Sequence, residues 1–360
     1  MRRKLTIMLV IAAVLALIVA TAASSMLPTY EETVEAELNK YEKLNKSELL
    51  DAMKVEFAEA ARQGSIDSLI PISYAFKQKR DEYTVEELLE LIESNSIDTF
   101  LRVTIVQVLN DKSGFDGTDS RLSELIKKDL PNEVKKSLLT HFGHKGGISE
   151  NDLITLSNNS DEAVAFQAIK RLSQVSPQKA YTISKGILQN YRNANVGQIQ
   201  SAVNVFASDY VPLGSTLKTK AADKELMYTV VEAVLNGNNY PQTTKDSVVF
   251  ALADMRTIEE MEYILHHSKI DDIMKKTTVD RNYNTLIEML ESNPTAEQIE
   301  FAIECMELRP INEVALPLGN AIASKRQLVY ANSTITQNRI SSVFAKIENQ
   351  GEPANPAWNQ

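Results

Sequence analysis

Apolar positions recur along this chain at a helical spacing and at a nearly fixed longer interval. Beginning at Asp98 they fall at i, i+4, i+5 and i+8, as Leu101, Ile105, Val106 and Leu109. The set returns 33 residues later as Val134, Leu138, Leu139 and Phe142, and 30 residues after that as Val164, Ala168, Ile169 and Leu172. That spacing lines one face of an α-helix. Shorter apolar groups lie between: Leu122, Leu125 and Ile126, then Leu153 and Leu156, then Ala180, Ile183 and Ile187. The unit is therefore a pair of helices. A lone helix of about 12 residues is marginal in water, so each pair must bury its stripe against its neighbours, and stacking follows.

Local signals place the boundaries. Ser149 with Asp152 reads as a capping box, and Ile148 is positioned to staple onto Leu153. Pro131 and Pro177 suit first turns, and Gly143 suits a left-handed C-terminal position. The pattern returns less regularly at Ile199, Ala202, Val203 and Phe206, at Thr244, Val248, Val249 and Leu252, and at Ile299, Ala302, Ile303 and Met306. The array is expected over residues 98–345, broken at 208–223 around Pro212 and Gly214.

An N-terminal helical region is expected over 25–97. From Tyr30 to Arg62 it carries Val34, Leu38, Tyr41 and Leu44 on one stripe and Leu50, Met53 and Phe57 on another, with Ser47 as the cap of the second helix. Thr84 and Glu87 form a capping box for a helix reaching Glu93. The last segment, 346–360, contains Gly351, Pro353, Pro356 and the single Trp358, and is expected to be a disordered tail.

Residues 1–24 set the compartment. Arg2, Arg3 and Lys4 precede an apolar run from Ile7 to Ala20, and Ala20, Thr21 and Ala22 supply a small-residue cleavage pattern. As a helix that run spans about 21 Å against a hydrocarbon core of about 30 Å, which suits a cleaved signal peptide. Counting Thr6 and Thr21 brings it near transmembrane length, and the basic start would then hold the body outside. Signal peptide and uncleaved anchor both stay open, and both make the body extracytoplasmic, secreted or membrane-anchored.

Composition agrees with helices. The chain has 12 Gly and 11 Pro in 360 residues, 6% aromatics and 43% hydrophobic residues, an all-α vocabulary with enough apolar mass for a large core. The net charge of −10 argues against nucleic acid as a partner. Cys305 is the single cysteine, so no intramolecular disulfide exists and stability must come from packing.

Asp98, Leu101, Arg102, Ile105 and Leu109 resemble the recurring core of HEAT and bacterial HEAT-like repeats. Asp161, Val164, Ala168 and Leu172 give a second match with Ala165 in the arginine position. Val134, Lys135, Leu138 and Phe142 give a third with Pro131 in the aspartate position. The resemblance covers residues 98–190 well and the rest loosely. It implies a right-handed α-solenoid of stacked antiparallel helix pairs of an exported bacterial type. Its motif specifies packing, so it points to a scaffold rather than a reaction.

Candidate chemistry is sparse. His141 and His144 have H-x-x-H spacing but no third ligand nearby in sequence, and His141 reads as a cation at a helix C-terminus. His266 and His267 are adjacent, so on a helix they point about 100° apart. The loop from Asp111 to Ser120 fails the register of a calcium loop, with Lys112 and Ser123 where carboxylates are needed. Glu86 and Glu90 read as a solvated face. No Walker loop, G-x-S-x-G, H-E-x-x-H or C-x-x-C occurs. No catalytic, cofactor-binding or metal-binding residue is assigned and no cofactor is expected. The reading is a non-catalytic, extracytoplasmic scaffold or adaptor for a protein or peptide partner, contacting membrane only through residues 1–24 if these are uncleaved. The alternatives are a module binding cell-wall polymer, and an enzyme or accessory lyase whose site is assembled from separated residues.

Overall fold

The computed structural model describes residues 37–64, 69–207, 221–331 and 334–353. Residues 1–24, most of the 208–223 break and Trp358 lie outside them. Every regular element among the described residues is helical, apart from an isolated parallel bridge between Ile311 and Glu352. No helix among them is long and apolar enough to cross a membrane. The chain divides into two units, Met1–Thr84 and Val85–Gln360.

In the first unit α1 (Lys46–Gln63) packs on α2 (Leu69–Gln78). Two details depart from the sequence reading. Asn45, not Ser47, is the cap: its side chain accepts from the Ser47 and Glu48 amides, and the Glu48 carboxylate returns to the Asn45 amide at 2.9 Å. The buried stripe is Leu49, Met53, Phe57 and Ala60, with Leu50 half-buried. Tyr83 closes this unit, stacking edge-on against Phe76 and donating its hydroxyl to the Lys46 carbonyl at 2.9 Å.

The second unit opens with α3 (Val85–Glu93), α4 (Thr99–Asn110), α5 (Arg121–Lys127), α6 (Asn132–Phe142), α7 (Glu150–Leu156) and α8 (Glu162–Val175). It continues with α9 (Pro177–Gln189), α10 (Val196–Ala207), α11 (Ala221–Asn236), α12 (Gln242–Ala253), α13 (Ile258–His266) and α14 (Asp272–Arg281). The last helices are α15 (Tyr283–Glu291), α16 (Ala296–Leu308), α17 (Asn312–Ser324), the short α18 (Arg326–Ala331) and α19 (Gln337–Gln350).

These helices form two layers. One is an unbroken series in which α4, α6, α8, α10, α12, α14, α16 and α19 each pack on the next. The intervening helices form the second layer, where α5 packs on α7, α9 on α11 and α15 on α17. This is an α-solenoid of stacked helix pairs. The apolar sets at 101–109, 134–142 and 164–172 are completely buried, as are Ile199, Ala202 and Val203. One first-layer helix escapes an apolar scan: α14 buries Met274, Thr278 and Val279 and is followed by the buried cap Asn282, the same spacing with two polar members.

Several boundaries move. The stack begins at Val85 rather than Asp98, because α3 buries Leu88, Leu89 and Ile92 and packs on α4. In α9 the buried face is Ala180, Ser184 and Leu188, leaving Ile183 and Ile187 half-buried. Gly143 is right-handed, with φ −59°. Its missing side chain makes room instead for Arg171, since a Cβ there would lie 2.6 Å from the Arg171 Cγ. At the C-terminal end α19 runs to Gln350, past the expected boundary at 346, and its buried Val343 and Ile347 hold it on the stack.

Candidate functional site

The second layer carries a recurrent polar seam. Asp152, Asp223 and Glu260 are each the third residue of their helix, and each is buried. Asp152 accepts from the Ser123 hydroxyl at 2.7 Å and lies 3.5 Å from the Lys127 ammonium. Asp223 accepts from Tyr181 at 2.5 Å and pairs with Lys185 at 2.7 Å. Glu260 accepts from Tyr228 at 2.8 Å and pairs with Lys224 at 2.6 Å. Every time, the hydroxyl and the ammonium come from one helix of the preceding pair, four residues apart. A carboxylate in a first turn is favoured by the helix dipole and by free amides. Burial pushes the Asp152 carboxyl up, but the hydroxyls of Ser149 and Ser123 and the charge of Lys127 together hold it below its ordinary value. Burial and their acidic partners raise the Tyr181 and Tyr228 phenols. These groups are mutually satisfied, so the seam holds neighbouring pairs in register and leaves no reactive group.

The residues singled out from sequence do not converge. His141 and His144 sit at the end of α6, and burial pushes both imidazoles below their ordinary value, with Arg171 and Lys145 acting in the same direction. The cation expected there is Arg171, which donates to the carbonyls of Leu139 at 3.1 Å and Thr140 at 2.6 Å. His266 and His267 diverge, to Glu304 at 3.0 Å and to Glu232 at 3.3 Å. In the 111–120 loop Asp116 turns back on Thr118, and Asp119 pairs with Arg121. Arg121 also reaches Glu86 at 3.0 Å, so that carboxylate ties α3 to α5. Cys305 is fully buried, which pushes its thiol well up. No group of three or more His, Cys, Asp or Glu side chains able to hold a metal occurs among the described residues.

The first layer presents a feature the sequence reading missed. A cleft of about 200 Å³ crosses three successive helices, lined by Phe166 and Lys170 of α8, Ser201, Asn204 and Val205 of α10, and Asp254 at the end of α12. The Ser201 hydroxyl is spent on the Phe166 carbonyl at 2.9 Å, and Asp254 is held by Arg281. The Lys170 ammonium and the Asn204 amide have no hydrogen-bond or ion-pair partner among the described residues. Burial, then Arg171 beside it, pushes the Lys170 ammonium below its ordinary value. A second, more open cleft of about 560 Å³ lies between α14 and α16. Among its lining charges Arg309 pairs with Asp280 at 2.9 Å and Glu352 at 3.0 Å, and Glu307 with Arg339 at 2.8 Å, while Lys276 lies on its α14 wall.

No protein-family model matches the chain, and no curated protein matches it. Among solved structures, a crystal structure of a Kap121p mutant is similar over 91% of this chain, with 12% identity and a TM-score of 0.46. This chain spans 39% of that one. At that distance the similarity assigns neither a family nor a partner.

Proposed function

We propose that this chain is an extracytoplasmic HEAT-like repeat scaffold that holds a protein or peptide partner on its first helix layer and catalyses no reaction. The observation that carries this reading is the cleft across α8, α10 and α12, which is formed by successive repeats and offers donors without partners among the described residues. A groove shared by stacked repeats is how a solenoid turns packing into a binding surface. At about 200 Å³ it falls below the ~300–1,000 Å³ of small-molecule and cofactor pockets and suits one or two side chains of a larger partner. Export rests on Arg2, Arg3 and Lys4 ahead of the Ile7 to Ala20 run, with membrane contact confined to residues 1–24 if they are retained.

The test is affinity capture from crosslinked cells with the full chain carrying a C-terminal tag, together with labelling of intact cells by a membrane-impermeant amine reagent. The proposal expects one reproducible protein partner and labelling of the chain without cell lysis. Enrichment of wall fragments in place of a protein, or labelling only after lysis, would contradict it.

A further inference from the structure

The chain carries a net charge of −10, yet residues 134–207 hold eight Lys and Arg against four Asp and Glu. Within that stretch α6 carries Lys135 and Lys136, α8 Lys170 and Arg171, and α9 Lys179 and Lys185, whereas α10 carries no charge, and the α8–α10–α12 cleft opens beside Lys170. Arg171, next in sequence to Lys170, is turned toward α6 and committed to its terminal carbonyls, so it does not fill the cleft. What remains for a ligand is one ammonium and one carboxamide beside the half-buried Phe166 ring and Val205.

That arrangement selects its ligand by chemistry. The single unpaired cation calls for a single negative charge. The two free donors match a carboxylate, and Phe166 with Val205 match the short aliphatic stem that carries it. Resting on the scaffold reading, we infer that the α8–α10–α12 cleft is a docking site for an acidic peptide segment, one of whose Glu or Asp carboxylates is received by Lys170 and Asn204.

The experiment uses the full chain and two fluorescein-labelled octapeptides, one alternating Glu and Leu and one alternating Gln and Leu, read by fluorescence anisotropy. The wild type is expected to bind the Glu peptide about tenfold more tightly than the Gln peptide, the size of one charge-assisted hydrogen bond. K170Q should abolish that preference, K170R should keep it, and K276Q in the other cleft should leave it unchanged. Added salt should weaken only the Glu peptide. Equal binding of the two peptides, a preference that survives K170Q, or a single-stranded DNA oligomer bound more tightly than the Glu peptide through Lys170 would overturn the assignment. Capture from cells separates this site from the scaffold reading. A partner held equally by wild type and K170Q overturns the Lys170 site and leaves the scaffold intact. Peptide discrimination that depends on Lys170, with no protein captured by either form, supports the site and counts against the scaffold.

Discussion

Where α6 meets α8, the buried faces are Val134, Leu138, Leu139 and Phe142 against Val164, Ala168, Ile169 and Leu172. Between α11 and α13, by contrast, a buried Glu260 takes a phenol from Tyr228 and an ammonium from Lys224. Apolar faces drive stacking but are non-directional, and neighbouring repeats offer similar surfaces. A carboxylate that must meet one hydroxyl and one ammonium admits a single alignment. The first layer therefore supplies most of the cohesion, and the second fixes how each pair sits on the last.

This division predicts an order of effects. Phe142→Ala should cost most, about 3–5 kcal/mol in denaturant unfolding, since the ring is fully buried and also packs edge-on against Phe115. Glu260→Ala should cost about 2–3 kcal/mol, less than the breaking of a fully buried ion pair because Lys224 is partly exposed. A loss above that of Phe142→Ala would reverse the ranking of the layers.

Asp152→Asn should cost about 1–2 kcal/mol at neutral pH and shows the charge dependence of the seam. The Asp152 carboxyl is held below its ordinary value, so its contribution is present above the unfolded value of about 3.9 and is lost as pH falls through the folded value. The stability gap between wild type and Asp152→Asn should be constant from pH 7 to about 5 and should shrink below about 4. A gap that widens on acidification would contradict the seam. Smallest is the cap of α1: Asn45→Ala should lower stability of the first unit by about 1 kcal/mol, while Ser47→Ala stays within about 0.5 kcal/mol.

The sequence made the first layer readable wherever its stripe is apolar. It hid α14 because Thr278 and Asn282 occupy two of the four core positions. It misphased α9 because Ile183 and Ile187 look more like core than Ser184, whose buried hydroxyl no apolar scan would select. Asn45 with Glu48 satisfies the capping-box spacing, but Ser47 competes for the same reading within two residues. The seams were out of reach, because they join residues 29, 42 and 32 positions apart through polar groups that look solvated in one dimension. Lys170 was hidden for the same reason. It follows the core residue Ile169 on a repeat helix, and only the stack shows that it borders a cleft.

Site-specific photocrosslinking in cells tests the central claim most directly. One form of the chain would carry the photoreactive residue at Gln200, one turn before Asn204 on α10, and another at the exposed Glu225 of α11 in the second layer. The account predicts a discrete protein adduct from Gln200 and none from Glu225. An adduct from Glu225 alone, or from neither position, would contradict a partner held on the first layer.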